Sequence, residues 1–197
     1  EGGAVLTNSK EYYDRLVLYR AHGITRIPAF MKRESEGPWY YEQVALGMNY
    51  RMTDIQAALI ISQLDKLSLF QKRRKEIVEK YNEAFSKIPE ITVQEEIPES
   101  DTTRHLYILR IKPEKLTIDR KQFFAAMAAE NICCNVHYIP VYRHPYYEEL
   151  GYEKGLCPKA EKLYEEIMSL PLYYSLTDED VDDVIHAVTK IVENYRK

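Results

Sequence analysis

The stretch from Thr53 to Pro89 limits the possible folds more than any other part of this sequence. Thr53-Asp54-Ile55-Gln56 is a capping box, with a hydroxyl at the N-cap and an amide three residues on. Ile55, Ala58, Leu59, Ser62, Leu64, Leu67 and Phe70 follow at helical spacing, and Ile77, Tyr81 and Phe85 carry the pattern to Pro89. This predicts one helix of about nine turns. A helix that long crosses from one structural unit to another, so the domain boundary belongs on it. One domain is expected over 1–70 and a second over 71–197.

Shorter elements flank this helix. Ala4-Val5-Leu6-Thr7 reads as a strand entered through glycines, and Asn8 or Ser9 caps a helix that Gly23 ends. The segment from Ile24 to Leu46 has no period and carries Pro28, Gly37, Pro38, Trp39, Tyr40 and Tyr41, as a functional loop would. Beyond Pro89, strands are predicted over Ile91–Val93, His105–Ile111 and Cys133–Tyr138. Helices are predicted from Asp119, from Pro158 to Met168, and from Thr177 onward. That order implies a small α+β layer packed on a sheet.

Composition removes several classes of function. With 27 Lys and Arg against 31 Asp and Glu, the net charge is -4 and offers no electrostatic pull toward nucleic acid or an anionic membrane. No apolar run reaches the ~18 residues of a membrane span. Cys133, Cys134 and Cys157 make neither a disulfide framework nor a zinc spacing, so a reducing, cytoplasmic setting without a metal is expected.

Two segments could carry chemistry. Leu46 to Asp54 lies just before a helix N-terminus, where free backbone N–H groups and the helix dipole favour an anion; Asn49 adds an amide and Arg51 a planar fork. The same residues would serve equally as a turn cap and a surface ion pair. Asn135 to Tyr147, with His137, Tyr138 and Tyr146, joins a strand to an aromatic loop and offers stacking faces and an imidazole to a ring-bearing ligand. A surface loop packed by its own tyrosines would look the same. No catalytic triad, carboxylate pair or nucleotide-binding glycine pattern is present.

Several motifs together resemble a known family. Glu1-Gly2-Gly3, Tyr19-Arg20-Ala21-His22-Gly23, Gly47-Met48-Asn49-Tyr50-Arg51-Met52-Thr53-Asp54, Asn135-Val136-His137-Tyr138-Ile139-Pro140, Pro145-Tyr146-Tyr147 and Ser169-Leu170-Pro171 recur in this order in the DegT/DnrJ/EryC1/StrS sugar aminotransferases. The resemblance spans essentially the whole chain. It implies an α/β fold: the C-terminal portion of a fold-type I pyridoxal-phosphate (PLP) transferase, made of the end of the large domain, a long connecting helix and a small α+β domain.

By the same resemblance, glutamate gives its amino group to a nucleotide-linked keto sugar, and the enzyme is a homodimer. Asn49 and Arg51 are then cofactor-binding, while Tyr50, His137, Tyr138 and Tyr146 meet the substrate. The lysine that holds the cofactor precedes the Glu-Gly-Gly motif in the family, so no catalytic residue is expected in the chain, which would be a fragment inactive alone. Self-association is expected through the segment from Ile24 to Leu69. The alternative is a non-catalytic nucleotide-sugar-binding or assembly module.

Overall fold

The computed structural model describes residues 3–197, so Glu1 and Gly2 of the glycine motif lie outside the described residues. The chain forms two compact units, Glu1–Lys66 and Leu67–Lys197. The expected boundary at residue 70 falls about one turn further on.

The first unit opens without a strand: Ala4 to Thr7 is irregular and Val5 and Leu6 are exposed. A run of alternating residues becomes a strand only beside a partner edge, and none of the described residues offers it one. Helix α1 spans Lys10–Arg20, with the Ser9 hydroxyl accepting from the Tyr12 N–H. It stops short of Gly23, because His22 and Gly23 both adopt left-handed φ values, 62° and 70°.

Strands β1 (Ile24–Thr25) and β2 (Glu42–Gln43) pair antiparallel. The aperiodic segment between them is tied to Glu42, whose carboxylate accepts from the N–H groups of Lys32 and Arg33 and from the Tyr40 hydroxyl. Helix α2 (Asp54–Leu64) starts at the capping box read from the sequence, with Thr53 and Gln56 bonding reciprocally.

The single long helix is in fact two. Helix α3 spans Leu67–Phe85, and the break falls at Asp65 and Lys66. There the Lys66 N–H reaches back only to the Gln63 carbonyl, so the last turn of α2 tightens and the hydrogen-bond ladder restarts. No Gly or Pro marks the spot.

The second unit is a three-stranded antiparallel sheet, ordered β3 (Ile91–Thr92), β4 (Tyr107–Ile111), β5 (Ile167–Leu170). Helices α3, α4 (Arg120–Ala129) and α7 (Asp178–Tyr195) cover one face. The alternation of β4 shows why. Tyr107, Leu109 and Ile111 point into a core with Ile77, Tyr81, Phe85, Phe123, Met127, Val181 and Val188, while Ile108 and Arg110 point to the other face. Tyr81 packs on Phe85 and Tyr107 at ring-centroid distances of 5.6 and 4.9 Å and satisfies its hydroxyl on the Pro171 carbonyl at 3.0 Å.

Two expectations fail in this unit. Helix α6 (Pro158–Glu166) stops short of Met168, because Ile167–Leu170 leaves it to become β5, paired along its length with β4. Residues 133–138 form no strand. Only Asn135 bridges to β5, exchanging backbone bonds with Ser169 at 3.1 and 2.7 Å. Among the described residues no helix is long and apolar enough to cross a membrane.

Candidate functional site

The two candidate segments fall in different units, so each is built up by itself. In the first unit, two backbones are zipped together before any side chain acts. The Met48 N–H donates to the Tyr19 carbonyl at 2.8 Å, the His22 N–H to the Met48 carbonyl at 2.9 Å, and the Tyr50 N–H to the Arg20 carbonyl at 3.0 Å. This approach requires glycine at two places. A Cβ on Gly47 would lie 2.2 Å from the Gly23 nitrogen, and one on Gly23 would lie 1.8 Å from the Ala45 oxygen.

The zipper places Asn49 and Arg51 together just before α2. Arg51 Nε donates to Asn49 Oδ1 at 3.2 Å, and Arg51 Nη2 lies 3.5 Å from His22 Nε2. Among the described residues nothing bonds the Asn49 amide nitrogen, which leaves it able to donate outward. An amide, a guanidinium and an imidazole on a close-packed backbone form a donor set suited to a phosphate. Tyr50 does not join them. It is exposed and lines a cleft of about 870 Å³ with Val5, Tyr13, Leu16 and Met48. The sequence pointed to Asn49 and Arg51; His22 is the member it missed.

In the second unit, His137 lines a groove of about 450 Å³ on the sheet face that the three helices leave open, beside Ile108, Arg110, Leu163 and Ile167. Its Nδ1 lies 2.7 Å from the Ser169 hydroxyl of β5, which fixes the ring and leaves Nε2 to meet a ligand. The Tyr138 ring stands edge-on to His137, with centroids 4.6 Å apart, and is exposed. Tyr146 also is exposed and stands edge-on to Tyr147 at 5.4 Å. The structure therefore brings His137 and Tyr138 together, while Tyr146 sits on short helix α5 (Pro145–Glu149) outside the groove lining.

Sequence reading missed Arg110, which lines the groove, and its buried partner Glu166. Arg110 Nε donates to Glu166 Oε2 at 2.6 Å, and the Glu166 side chain is only 9% exposed. The strand alternation of β4 already placed a charge off the core face. Its acidic partner could not be read while Glu166 was taken for mid-helix.

Cys134 offers no nucleophile here: burial pushes its thiol up to about 12. Among the described residues no group of His, Cys, Asp and Glu could hold a metal ion.

Comparison with known proteins fixes the context of these two sites. The sequence pattern of the DegT/DnrJ/EryC1/StrS aminotransferase family matches residues 1–189. The chain belongs to this family. The spore coat polysaccharide biosynthesis protein SpsC of Bacillus subtilis is 40% identical over 98% of the chain and 50% of its own length. The UDP-4-amino-4,6-dideoxy-N-acetyl-beta-L-altrosamine transaminase of Helicobacter pylori is 30% identical over 100% and 49%.

Among solved structures, Spr1654 of Streptococcus pneumoniae in its PLP form superposes with a TM-score of 0.81 at 31% identity, over 95% of this chain and 45% of that one. The chain thus spans about half the length of the relatives it matches. DegT/DnrJ/EryC1/StrS aminotransferases are PLP-dependent, and the mixed helix–sheet fold seen here is a portion of a fold-type I PLP transferase.

Proposed function

We propose that these 197 residues form part of an aminotransferase that moves an amino group from glutamate to a nucleotide-linked keto sugar, feeding surface polysaccharide or glycan synthesis. The observation that carries this reading is the family match along the chain together with two pre-built sites: the Asn49–Arg51–His22 donor set and the His137 groove. The altrosamine transaminase of H. pylori, similar over the whole chain, favours a UDP-sugar acceptor.

PLP, when bound, supplies the electron sink that lets an amino group pass between amino acid and keto carbon. The chain's own residues do the rest of the positioning. The Asn49 amide and Arg51 guanidinium hold the cofactor phosphate, with the zippered backbone of Gly23 and Gly47 keeping them in place. His137, oriented by Ser169, and Tyr138 meet the sugar nucleotide, and Tyr146 meets it from the loop that follows them in the same unit. Ile55, Leu59, Ile61 and Leu64 leave α2 apolar and exposed all round, and a second copy of the chain is the occupant that fits a homodimeric family. No lysine here matches the family's cofactor-bearing position, so the residues present bind without turning over.

One preparation tests the proposal. The purified chain, mixed with PLP, is expected to show no stable visible band, no borohydride-trapped lysine and no glutamate turnover, and to scatter light as a dimer or larger. A single trapped lysine supporting glutamate turnover would overturn the claim of inactivity, and a monomer at high concentration would remove the role given to α2.

A further inference from the structure

Glu161 is a buried charge that neither proposed site uses. It sits in the first turn of α6 (Pro158–Glu166) with 8% of its surface exposed. A carboxylate with so little access to water needs donors, and it has them from one neighbouring segment. Glu161 Oε1 accepts from the Tyr142 hydroxyl at 2.7 Å and from the Gly155 N–H at 2.7 Å. The Tyr142 oxygen in turn accepts from the Cys157 N–H at 3.2 Å. These donors hold its carboxyl below the usual carboxylate range, the Gly155 amide foremost and the Tyr142 hydroxyl next.

The geometry matters because of what lies between the donors. Tyr142 begins, and Gly155 ends, the excursion that carries Tyr146, Tyr147 and Tyr152, and one carboxylate pins both ends to α6. Gly155 reaches it at φ 98°, in the region that favours glycine. Arg143 lies over the Tyr164 ring of the same helix at 5.8 Å, with Arg120 of α4 over that ring at 4.7 Å. Inside the excursion the contacts are edge-on tyrosine pairs at 5.4 and 6.1 Å and a five-residue helix. With little burial of its own, the segment takes its position from its ends.

We propose that Glu161 and Tyr142 are positioning residues that hold the 143–156 loop, and Tyr146 with it, in one arrangement on α6. The link to substrate rests on the reading that Tyr146 meets the sugar nucleotide; the clamp itself does not.

Limited trypsin digestion of the full chain tests it, because Arg143 and Lys154 place cleavage sites at both ends of the loop. Glu161→Ala and Tyr142→Phe are each expected to speed cleavage there about tenfold relative to sites in α3 and α7, as loss of a charged hydrogen bond implies. The double variant should go no faster than either single one, and Glu161→Gln, which keeps an acceptor, should restore most of the protection. Unchanged loop cleavage, or cleavage that rises equally at the core sites, would overturn the clamp. If Glu161→Ala does not fold, Tyr142→Phe, which removes one hydroxyl, decides by the same ratio. Affinity for UDP-N-acetylglucosamine is read alongside and should fall about fivefold in both variants, with rescue by Glu161→Gln. Absence of binding by the parent chain would remove the substrate reading, and the cleavage ratio would still decide the clamp.

Discussion

Replacing Gly23 with alanine is expected to destabilise the first unit by about 3 kcal/mol or more, far beyond an ordinary Gly-to-Ala change. Gly23 has φ 70°, and the new Cβ would sit 1.8 Å from the Ala45 oxygen and 2.6 Å from its carbon. Both are backbone atoms, so no side chain can swing aside. The β1–β2 hairpin must move, taking with it the Val44 N–H bond to the Gly23 carbonyl and the zipper that carries Asn49. Hydrogen exchange at Val44, Met48 and Tyr50 reads this directly. Gly151 makes the control: its φ is 90° but nothing lies within 4 Å of an added Cβ, so its alanine variant should lose only about 1 kcal/mol. Equal losses at the two positions would mean that the close approach of the 19–23 and 45–50 backbones is not what holds this loop.

Arg110→Met is the second large effect, expected to cost the second unit about 2 kcal/mol in urea unfolding. The change strands Glu166, whose remaining cation, Lys162, stands 4.0 Å away and mostly in solvent. Removing one partner of a fully buried pair costs more, but the Arg110 side chain is 40% exposed, and water screens the interaction by a corresponding share. Glu166→Gln should cost less, because an amide oxygen still accepts from Arg110 Nε and no buried charge is orphaned. If Glu166→Gln proves the more damaging of the two, the carboxylate has a partner other than Arg110.

The elements that were legible from sequence are those whose cause is local. Thr53, Asp119 and Thr177 each cap a helix through a reciprocal bond three residues away, so the signal and the structure occupy the same few residues. Strand β5 was hidden for the opposite reason. Leu163, Glu166 and Ile167 continue the helical spacing of α6, and only the pairing of Met168 with Leu109 and Ser169 with Ile108 selects a strand. The break at Lys66 was invisible because no residue there is a breaker.

The same division runs through the sites. Asn49, Arg51 and His137 stood out by residue type, and their chemistry could be named. What orients them comes from elsewhere in the chain: Ser169 reaches His137 from the unread strand, and His22 reaches Arg51 from the end of α1. Glycines 23 and 47 were visible as letters, yet their mutual contact exists only in the folded backbone.

The direct test of the sugar-nucleotide reading is a titration of the isotopically labelled chain with UDP-N-acetylglucosamine, followed by amide chemical shifts. The expected result is saturable change concentrated at residues 135–147 and at Ile108, Arg110 and Ser169 around the open sheet face. Saturable shifts confined to the cleft of Glu130, Asp183, His186 and Lys190 between α4 and α7, or no shifts at all, would contradict it.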